Sequence, residues 1–335
     1  MIIIFEIYRR VVMKHTIKVV ALLVAIIAIS AVAFTACDMA TTDFTVGILQ
    51  PIAHDALGAA NKGFKDELTR LMTEAGKTVK FVDQNAQGNA STQVSIINGF
   101  VASGVDLMLT IGTDATKTAQ GIEKYTPILF TAVTDPAGAG IVSSNGSDRE
   151  ASNVSGTSDM NPVALQMQLC KDLGMTKVAL LYTSSEDNSR IQIEMAKAEC
   201  TRIGLDFVEK PVTDSNAIKN VMTTIALDET IDGIYIPTDN NLAANVANIH
   251  AENKSGNKLP IVCGEEGMNK ACGVATYSID YYELGKQTAK MAFDILMGNK
   301  KVGEMPVEYQ SGNPELSINR AIAEELGIDI SALEA

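Results

Sequence analysis

Residues 105–133 read VDLMLTIGTDATKTAQGIEKYTPILFTAV, and this stretch decides the fold. It begins with a short apolar run over residues 105–111, continues through a helix-like segment over residues 115–124, and ends in a second apolar run over residues 127–133. Short apolar strands that alternate with amphipathic helices are typical of parallel sheets covered by helices on both faces. The stretch therefore predicts an α/β fold.

The same alternation extends to both sides of this stretch. A polar segment at residues 143–152 (SSNGSDREAS) divides it into two units of similar plan, so we predict two doubly wound parallel-sheet lobes rather than one large sheet. Further strands are predicted over residues 44–49, 79–83, 154–157, 178–182, 206–212, 233–237, 261–264 and 273–278. Further helices are predicted from His54 onward and over residues 92–102, 162–173, 189–202, 217–226, 242–251 and 281–297.

The composition narrows the classes of function. The 335 residues include 27 Lys and Arg against 40 Asp and Glu, a net charge of −13, and this acidic balance argues against a nucleic-acid partner. Three histidines and the lack of C-x-x-C and H-E-x-x-H patterns give no sign of a metal site. The G-x-S-x-G and G-x-G-x-x-G patterns of enzymes are also missing from the sequence. We therefore predict a protein that is not an enzyme and uses no metal or cofactor.

The first residues look like an export signal. Four basic residues precede an apolar run over residues 19–34, which is too short for a membrane span but suits the apolar core of a signal peptide. The run leads through Thr35 and Ala36 to Cys37, a pattern that resembles a bacterial lipobox with Phe34 where leucine is usual. The resemblance implies cleavage after residue 36 and lipidation of Cys37. Ordinary secretion or an uncleaved anchor is the alternative.

Cleavage would change both the start and the charge of the chain. Without residues 1–36 the body keeps 23 basic and 39 acidic residues, a net charge of −16. Residues 37–43 then form a lipidated tether of polar character. The leader itself starts at Met1 or at Met13, which directly precedes the basic segment KHTIK.

Four cysteines follow Cys37, and they divide into two pairs. Cys170 and Cys200 lie in helix-like apolar stripes, which favours buried thiols. Cys263 and Cys272 could close a small disulfide loop in an exported protein, or they could be buried thiols as well. The sequence leaves both possibilities open for the second pair.

Polar residues cluster where the predicted strands end, in both lobes. In open α/β sheets, ligands bind outside the carboxyl ends of the strands, so two such edges facing each other would form a cleft. Helix capping is the alternative for each single residue, because Ser, Thr, Asp and Asn also favour that position. The candidate ligand-binding residues are Gln50, Thr113, Asp114, Thr116, Thr131, Val133 and Asp135 in the first half, and Ser185, Asn188, Ser189, Asp239, Asn240, Glu265 and Asp280 in the second.

Six motifs in this order resemble the substrate-binding lipoproteins of ABC transporters that are related to tryptophan- and tyrosine-binding proteins. The resemblance covers nearly the whole body, from about Phe44 to the end. The motifs are VGILQPIAHDALGAANKGFKDEL (46–68), LTIGTDATKTAQ (109–120), PILFTAVTDPAGAGIV (127–142), VSGTSDMNP (154–162), IYIPTDNN (234–241) and VATYSIDYYELGKQTAKMA (274–292).

The resemblance implies a type I periplasmic-binding-protein fold, in which a three-crossover hinge joins two lobes around a ligand cleft. On that plan residues 44–155 and 279–305 form the N-terminal lobe, and residues 156–278 and 306–335 form the C-terminal lobe. The resemblance also implies an ABC permease and its ATPase as partners. We expect a monomer, held by its lipid to the cell membrane on the extracytoplasmic side.

An amino-acid ligand needs donors for its carboxylate and acceptors for its ammonium group. Thr113 and Thr116 open a helix directly after a strand, where free N–H groups and hydroxyls suit a carboxylate. For the ammonium, Asp239 is the first candidate, with Glu265 and Asp280 behind it. Asp239 could equally cap the helix that follows.

The function we predict is that of a lipid-anchored solute receptor for a small amino acid, above all an aromatic one such as tryptophan, tyrosine or phenylalanine. A surface adhesin or sensor with the same fold, or a receptor for another small solute, is the alternative. His54 is interpreted as a residue that bonds locally at the start of a helix, not as a catalytic base. Five tyrosines at or near second-lobe strand ends suggest stacking on an aromatic ring, namely Tyr182, Tyr235, Tyr277, Tyr281 and Tyr282.

Overall fold

The computed structural model describes residues 42–143, 152–310 and 314–334. The predicted signal peptide at residues 1–36, the lipidated Cys37 and all of the tether except Thr42 and Asp43 lie outside the described residues. Within the described ranges, no helix has both the length and the hydropathy that a membrane crossing requires. The first strand begins at Phe44, where the first predicted strand also begins.

Two six-stranded sheets organise the part of the chain that the structure describes. The first contains β1 (Phe44–Gln50), β2 (Val79–Asn85), β3 (Leu107–Ile111), β4 (Ile128–Val133), β5 (Val154–Ser158) and β11 (Glu308–Tyr309), in the order β11-β5-β4-β3-β1-β2. The second contains β6 (Lys177–Thr183), β7 (Asp206–Val212), β8 (Gly233–Ile236), β9 (Ile261–Cys263), β10 (Ala275–Ser278) and β12 (Glu315–Ile318), in the order β12-β10-β9-β8-β6-β7. All neighbouring strands are parallel except β10 and β12.

Helices connect these strands and cover both faces of each sheet. The first lobe contains α1 (Asp55–Glu74), α2 (Ala90–Ser103), α3 (Thr113–Ile122) and α10 (Tyr281–Leu296). The second lobe contains α4 (Val163–Asp172), α5 (Asp187–Ile203), α6 (Ile218–Ala226), α7 (Asn240–Ala244), α8 (Val246–Ser255), α9 (Glu266–Ala271) and α11 (Arg320–Leu326). Short 3-10 turns lie at Ser215–Ala217, Val302–Glu304 and Ser331–Leu333.

Strand β3 explains why residues 105–133 decide the fold. All of its residues are buried, and its side chains alternate between two cores. Leu107, Leu109 and Ile111 pack with α1 and α10 on one face, whereas Met108 packs with α2 and α3 on the other. Because such a strand has no polar face, it is stable only at the centre of a sheet that is covered on both sides.

The second sheet repeats this arrangement. Tyr235 of β8 packs with α4 and α5, and its neighbours Ile234 and Ile236 pack with the helices from α6 to α9. Cys263 and Cys272 lie in the latter core as thiols, with their sulfur atoms 3.9 Å apart. Cys170 and Cys200, the pair predicted to be buried thiols, lie in the core under α4 and α5.

Helices α1 and α10 cross with their backbones in direct contact. A Cβ atom on Gly63 of α1 would lie 2.0 Å from the carbonyl oxygen of Tyr282, and one on Gly285 of α10 would lie 2.0 Å from that of Ala60. No side chain fits at such distances. The two glycines therefore allow α10 to pack as a layer on α1 and the first sheet.

The chain passes between the two sheets three times, after β5, after β10 and after β11. Two of the predicted lobe boundaries therefore differ from those in the structure. The boundary after residue 155 falls inside β5, which pairs with β4 in the first sheet, and Glu308–Tyr309 pair with β5 instead of joining the second lobe. Hydrogen bonding within a sheet decides which lobe a strand joins, and the polarity of the adjacent loop does not reveal it.

The predicted fold class, two α/β lobes with mainly parallel sheets, is confirmed. Three details differ from the prediction. Strand β12 runs antiparallel to β10, and residues 266–271, interpreted as part of a loop, form α9 with Glu265 as its cap. The single helix predicted over residues 242–251 is divided at Asn245 into α7 and α8.

Candidate functional site

A cleft lies between the two lobes, where β4, β5, β8 and β9 end and where α1, α5, α7 and α10 begin. Its free volume is about 10 Å³, which is room for about one water molecule. Sites for small organic ligands usually enclose about 300–1,000 Å³, so the lobes are closed here and lie closer together than a bound ligand of that size would allow. The walls are formed by His54, Ala56, Leu57, Ala132, Thr134, Asp159, Asn188, Thr238, Asp239, Asn240, Ala243, Glu265 and Tyr281.

Polar contacts join the lobes across the cleft. The Nε2 atom of His54, at the start of α1, lies 3.1 Å from Oδ1 of Asn240 in α7. At the rim, Lys117 of α3 forms an ion pair with Asp187 of α5. These contacts hold the closed arrangement because each one joins an element of the first lobe to an element of the second.

Two buried carboxylates in the cleft have unused acceptor sites. An ionised carboxylate can accept about four hydrogen bonds. Asp159, directly after β5, accepts from the hydroxyls of Thr134 and Tyr281, at 2.9 and 2.8 Å. Glu265 accepts from the backbone N–H groups of Gly267 and Met268, at 2.5 and 2.7 Å. Each carboxylate therefore has capacity for a further donor.

The acceptor sites of Asp239, in contrast, are filled. Its carboxylate accepts from the backbone N–H and the hydroxyl of Thr183, from the hydroxyl of Ser189, and from the backbone N–H of Leu242. The last of these bonds caps α7. Capping, the alternative for this residue in the sequence, is thus its role in the structure, and its oxygens have little capacity left for a ligand.

Glu186 is a fourth buried carboxylate, behind the cleft wall. It accepts from the backbone N–H groups of Asn240 and Asn241 and from the side-chain amides of Asn188 and Asn240. Burial raises the pKa of Glu186 to about 8, and the N–H donors oppose this rise. The residue organises the start of α7, because three of its four donors belong to Asn240 and Asn241.

The cleft concentrates negative charge without a cation of the protein to balance it. Burial raises the pKa of Asp159, and it raises the pKa of Glu265 to about 7. Among the described residues that line the cleft there is no Lys or Arg, and Lys117 at the rim is already paired with Asp187. Since buried charges need partners, a ligand with a positively charged group would complete this site.

Two buried polar atoms of residues that line the cleft have no hydrogen-bond partner within the described residues. They are Nδ1 of His54 and Oδ1 of Asn188. Buried polar atoms are nearly always bonded in folded proteins. Unmatched atoms in a cleft wall therefore indicate where polar groups of a ligand would bond.

The structure brings some of the predicted site residues together and separates others. Asn188, Asp239, Asn240 and Glu265 line the cleft. The remaining candidates lie outside its walls. Six of them form hydrogen bonds elsewhere: Gln50 and Thr116 donate to backbone carbonyls, Thr131 and Ser189 bond to other side chains, and Asp135 and Asp280 accept from backbone N–H groups. Val133 lies in the core and Thr113 is buried. Asp114 and Ser185 are exposed at the surface.

Sequence reasoning missed Asp159, Thr134 and His54 as cleft residues. Asp159 directly follows β5, a strand that is predicted over residues 154–157, so the rule applied to the other strand ends would have found it. His54 precedes α1 as predicted, but its bond reaches the other lobe. Of the five tyrosines considered for ring stacking, only Tyr281 lines the cleft.

Comparison with known proteins places this geometry among proteins that bind small molecules. A family model described as ABC transporter substrate binding protein matches residues 45–333. The chain is also similar to the tyrosine-binding protein of Clostridioides difficile (strain R20291). The two are 34% identical over 264 residues, which cover 78% of this chain and 75% of the relative.

Two solved structures are similar as well. An ABC domain in complex with L-Trp from Streptococcus pneumonia matches with a TM-score of 0.77 and 33% identity, over 86% of this chain and 98% of that chain. The ligand-free, open structure of a substrate binding protein with adhesive properties from Clostridium difficile matches with a TM-score of 0.62 and 31% identity, over 85% of this chain and 95% of that chain.

Proposed function

Because the chain belongs to the family of ABC transporter substrate-binding proteins, we propose that it binds an aromatic L-amino acid between its lobes and delivers it to an ABC permease and its ATPase. Two relatives support the ligand class, since one is a tyrosine-binding protein and the other is seen with L-Trp. A substrate-binding protein of an ABC importer works outside the cytoplasm.

The observation that carries this proposal is the unbalanced charge of the cleft. Asp159 and Glu265 are buried, have acceptor sites to spare and lack a cationic partner among the described cleft residues. The ammonium group of an amino acid would supply that partner through charge-assisted hydrogen bonds. Leu57, Ala132 and Tyr281 add apolar surface on which an aromatic ring could pack.

Neutral donors would hold the carboxylate of the ligand. Helix α3 begins at Thr113, directly after Gly112, and its first N–H groups are free of intrahelical bonds. The hydroxyl of Thr113 is buried and has no partner in the described part of the chain. This supports the predicted role of Thr113, whereas Thr116 donates its hydroxyl hydrogen to the carbonyl of Gly112.

Binding and delivery would follow from movement of the lobes. The amino acid would bind to one lobe in an open form, and contacts such as those of Lys117 with Asp187 would then form as the lobes close. Closure shields the charges from water, which strengthens their attraction to the ligand. The permease would recognise the closed form.

The ligand can be tested directly, because the protein contains no tryptophan. After unfolding and refolding to remove any bound solute, added L-tryptophan should be the only source of indole fluorescence, and its emission should change on binding. Calorimetry with L-tyrosine and L-phenylalanine should give heat of binding, and a ligand at 100 times its Kd should stabilise the fold by about 2.7 kcal/mol. L-Aspartate and D-ribose serve as controls. Heat from ribose but from none of the aromatic amino acids would contradict the proposal.

We also propose that residues 1–36 are a lipoprotein signal and that Cys37 carries the lipid. In a bacterial host, the full chain should incorporate labelled fatty acid and sediment with membranes, because anchoring by more than one acyl chain is stable. Cys37→Ala should lose the label and remain as a larger chain that keeps its leader, while Cys170→Ala, which removes a buried thiol in the second lobe, should keep the label and the size of the unaltered chain. Fatty-acid label in Cys37→Ala at the level of the unaltered chain would contradict the lipidation of Cys37.

Adhesion is a second candidate function, supported by the relative with adhesive properties. That relative is itself a substrate binding protein, so solute binding and adhesion can belong to one molecule. A binding assay on host cells, carried out with and without saturating amino acid, would test it.

A further inference from the structure

Asn240 connects the two lobes through a short chain of hydrogen bonds. Its side-chain nitrogen donates to Oε2 of Glu186 at 2.9 Å, within the second lobe. Its side-chain oxygen lies 3.1 Å from Nε2 of His54, in the first lobe. The chain Glu186–Asn240–His54 therefore reaches from behind one wall of the cleft to the opposite wall.

The orientation of the Asn240 amide follows from its neighbours. Oε2 of Glu186 also accepts the backbone N–H of Asn240 at 2.9 Å, and a backbone N–H can only donate. Oε1 accepts the backbone N–H of Asn241 at 2.8 Å in the same way, so both oxygens of this carboxyl group act as acceptors. Since Oε2 accepts, the NH₂ end of the Asn240 side chain must face it. The carbonyl end must then face His54.

This orientation fixes the tautomer of His54. The carbonyl oxygen of Asn240 can only accept, so Nε2 of His54 carries the hydrogen. Burial lowers the pKa of His54, which keeps the ring neutral, and a neutral imidazole has a hydrogen on one nitrogen only. Nδ1 therefore carries a lone pair. It is shielded from solvent and has no partner among the described residues.

We propose that Nδ1 of His54 accepts a hydrogen bond from an N–H or O–H group of the bound solute, and that Glu186 and Asn240 are positioning residues that hold His54 in the accepting tautomer. This inference rests on the proposed function and adds a specificity contact to it. Two groups of an aromatic amino acid could be the donor, the ammonium group or a donor on the ring. Both have the same chemistry at Nδ1, and the ligands used in the test separate them.

The tautomer can be measured without any ligand. The sequence has three histidines, His15, His54 and His250, so a nitrogen NMR spectrum of the labelled protein has few imidazole signals. The His54 signals, assigned by their loss in His54→Gln, should show a protonated Nε2 and a bare Nδ1 at neutral pH. Asn240→Ala removes the carbonyl oxygen that holds the hydrogen on Nε2, so the tautomer with a protonated Nδ1 should also become populated. A protonated Nδ1 in the unaltered protein would overturn the inference.

Ligand affinities of variants show whether His54 contacts the ligand or only joins the two lobes through Asn240. His54→Gln can keep a side-chain N–H for Asn240 but has no acceptor in place of Nδ1. We expect it to weaken binding of L-tyrosine by about tenfold or more, as the loss of a buried hydrogen bond implies. His250→Gln is the matched control, because Nδ1 of His250 is also buried and has no partner among the described residues, whereas its Nε2 pairs with Glu325 and neither residue lines the cleft. Unchanged affinity in His54→Gln would show that His54 only bridges the lobes.

The comparison of two ligands identifies the donor. A larger loss for L-tyrosine than for L-phenylalanine in His54→Gln would assign the contact to the ring hydroxyl, and equal losses would assign it to the ammonium group. On ligand addition, the Nδ1 signal should shift in the direction of a hydrogen-bonded nitrogen. If no amino acid binds even the unaltered protein, the proposed function fails, and the tautomer measurement still reports on the Glu186–Asn240–His54 chain.

Discussion

Replacing Asp159 by asparagine should weaken binding of an aromatic amino acid by about 30-fold or more. Removing one partner of a buried, hydrogen-bonded charge pair costs about 2–5 kcal/mol of binding free energy. The fold should survive the change, because hydroxyls both donate and accept, so Thr134 and Tyr281 can still bond to an amide. The free protein should even gain stability, since a buried charge without a cationic partner is removed. Calorimetry and urea unfolding measure the two effects.

The matched control for Asp159 is Asp135→Asn. Asp135 lies in the first lobe soon after β4, is half-buried and accepts from the backbone N–H of Gly138, but it does not line the cleft. Its substitution should leave affinity within about twofold, as expected for a residue outside the site. Equal affinities for the Asp159→Asn variant and the unaltered protein would contradict the assignment of Asp159 to the ammonium group.

The alanine variant of Gly63 should be destabilised by about 3 kcal/mol, the upper end of the usual cost of overpacking a core. The added methyl group would lie 2.0 Å from the carbonyl oxygen of Tyr282. That oxygen belongs to the backbone of α10, so no side chain can rotate away, and the two helices must separate. Urea unfolding followed by circular dichroism measures the loss.

Gly58→Ala provides a control within the same helix. A Cβ atom on Gly58 meets nothing within 4 Å, whereas the gain in helix propensity equals that at Gly63. Gly58→Ala should therefore stabilise the protein by about 0.5–1 kcal/mol. If the two variants had the same stability, close contact between α1 and α10 could not be the reason for glycine at position 63.

The central strands could be predicted from the sequence because a strand that is buried on both faces is a short run of mostly apolar residues. β3 and β4 are entirely buried, and a run of apolar residues of that length has few other interpretations. β11 and β12 give no such signal, since they are two and four residues long and lie at sheet edges, half-buried or exposed. Their pairing depends on partners distant in sequence. α9 is also short, with six residues, and contains Gly267, so its local helix propensity is weak.

The site was predictable as an edge of the sheets but not as a set of contacts. The positions of strand ends pointed to Glu265 and Asn188, which line the cleft in the structure. They could not distinguish a carboxylate whose acceptor sites are filled from one with sites to spare, because the donors to Asp239 come from three different elements. His54 shows the same limit, since its partner lies 186 positions further along the chain. Contacts that depend on the closure of two lobes leave no local pattern.

The closed cleft also limits the rates at which an amino acid can bind and be released. With about 10 Å³ between its walls, an amino acid can neither enter nor leave until the lobes separate. Residence time then depends on how often the bridges His54–Asn240 and Lys117–Asp187 break together with the contacts of the amino acid to both lobes. A permease that pulls these two bridges apart would release the cargo quickly from a tight receptor. Residues of the cleft wall would then mainly set the affinity for the amino acid, and the Lys117–Asp187 ion pair at the rim would mainly affect the rate of its release.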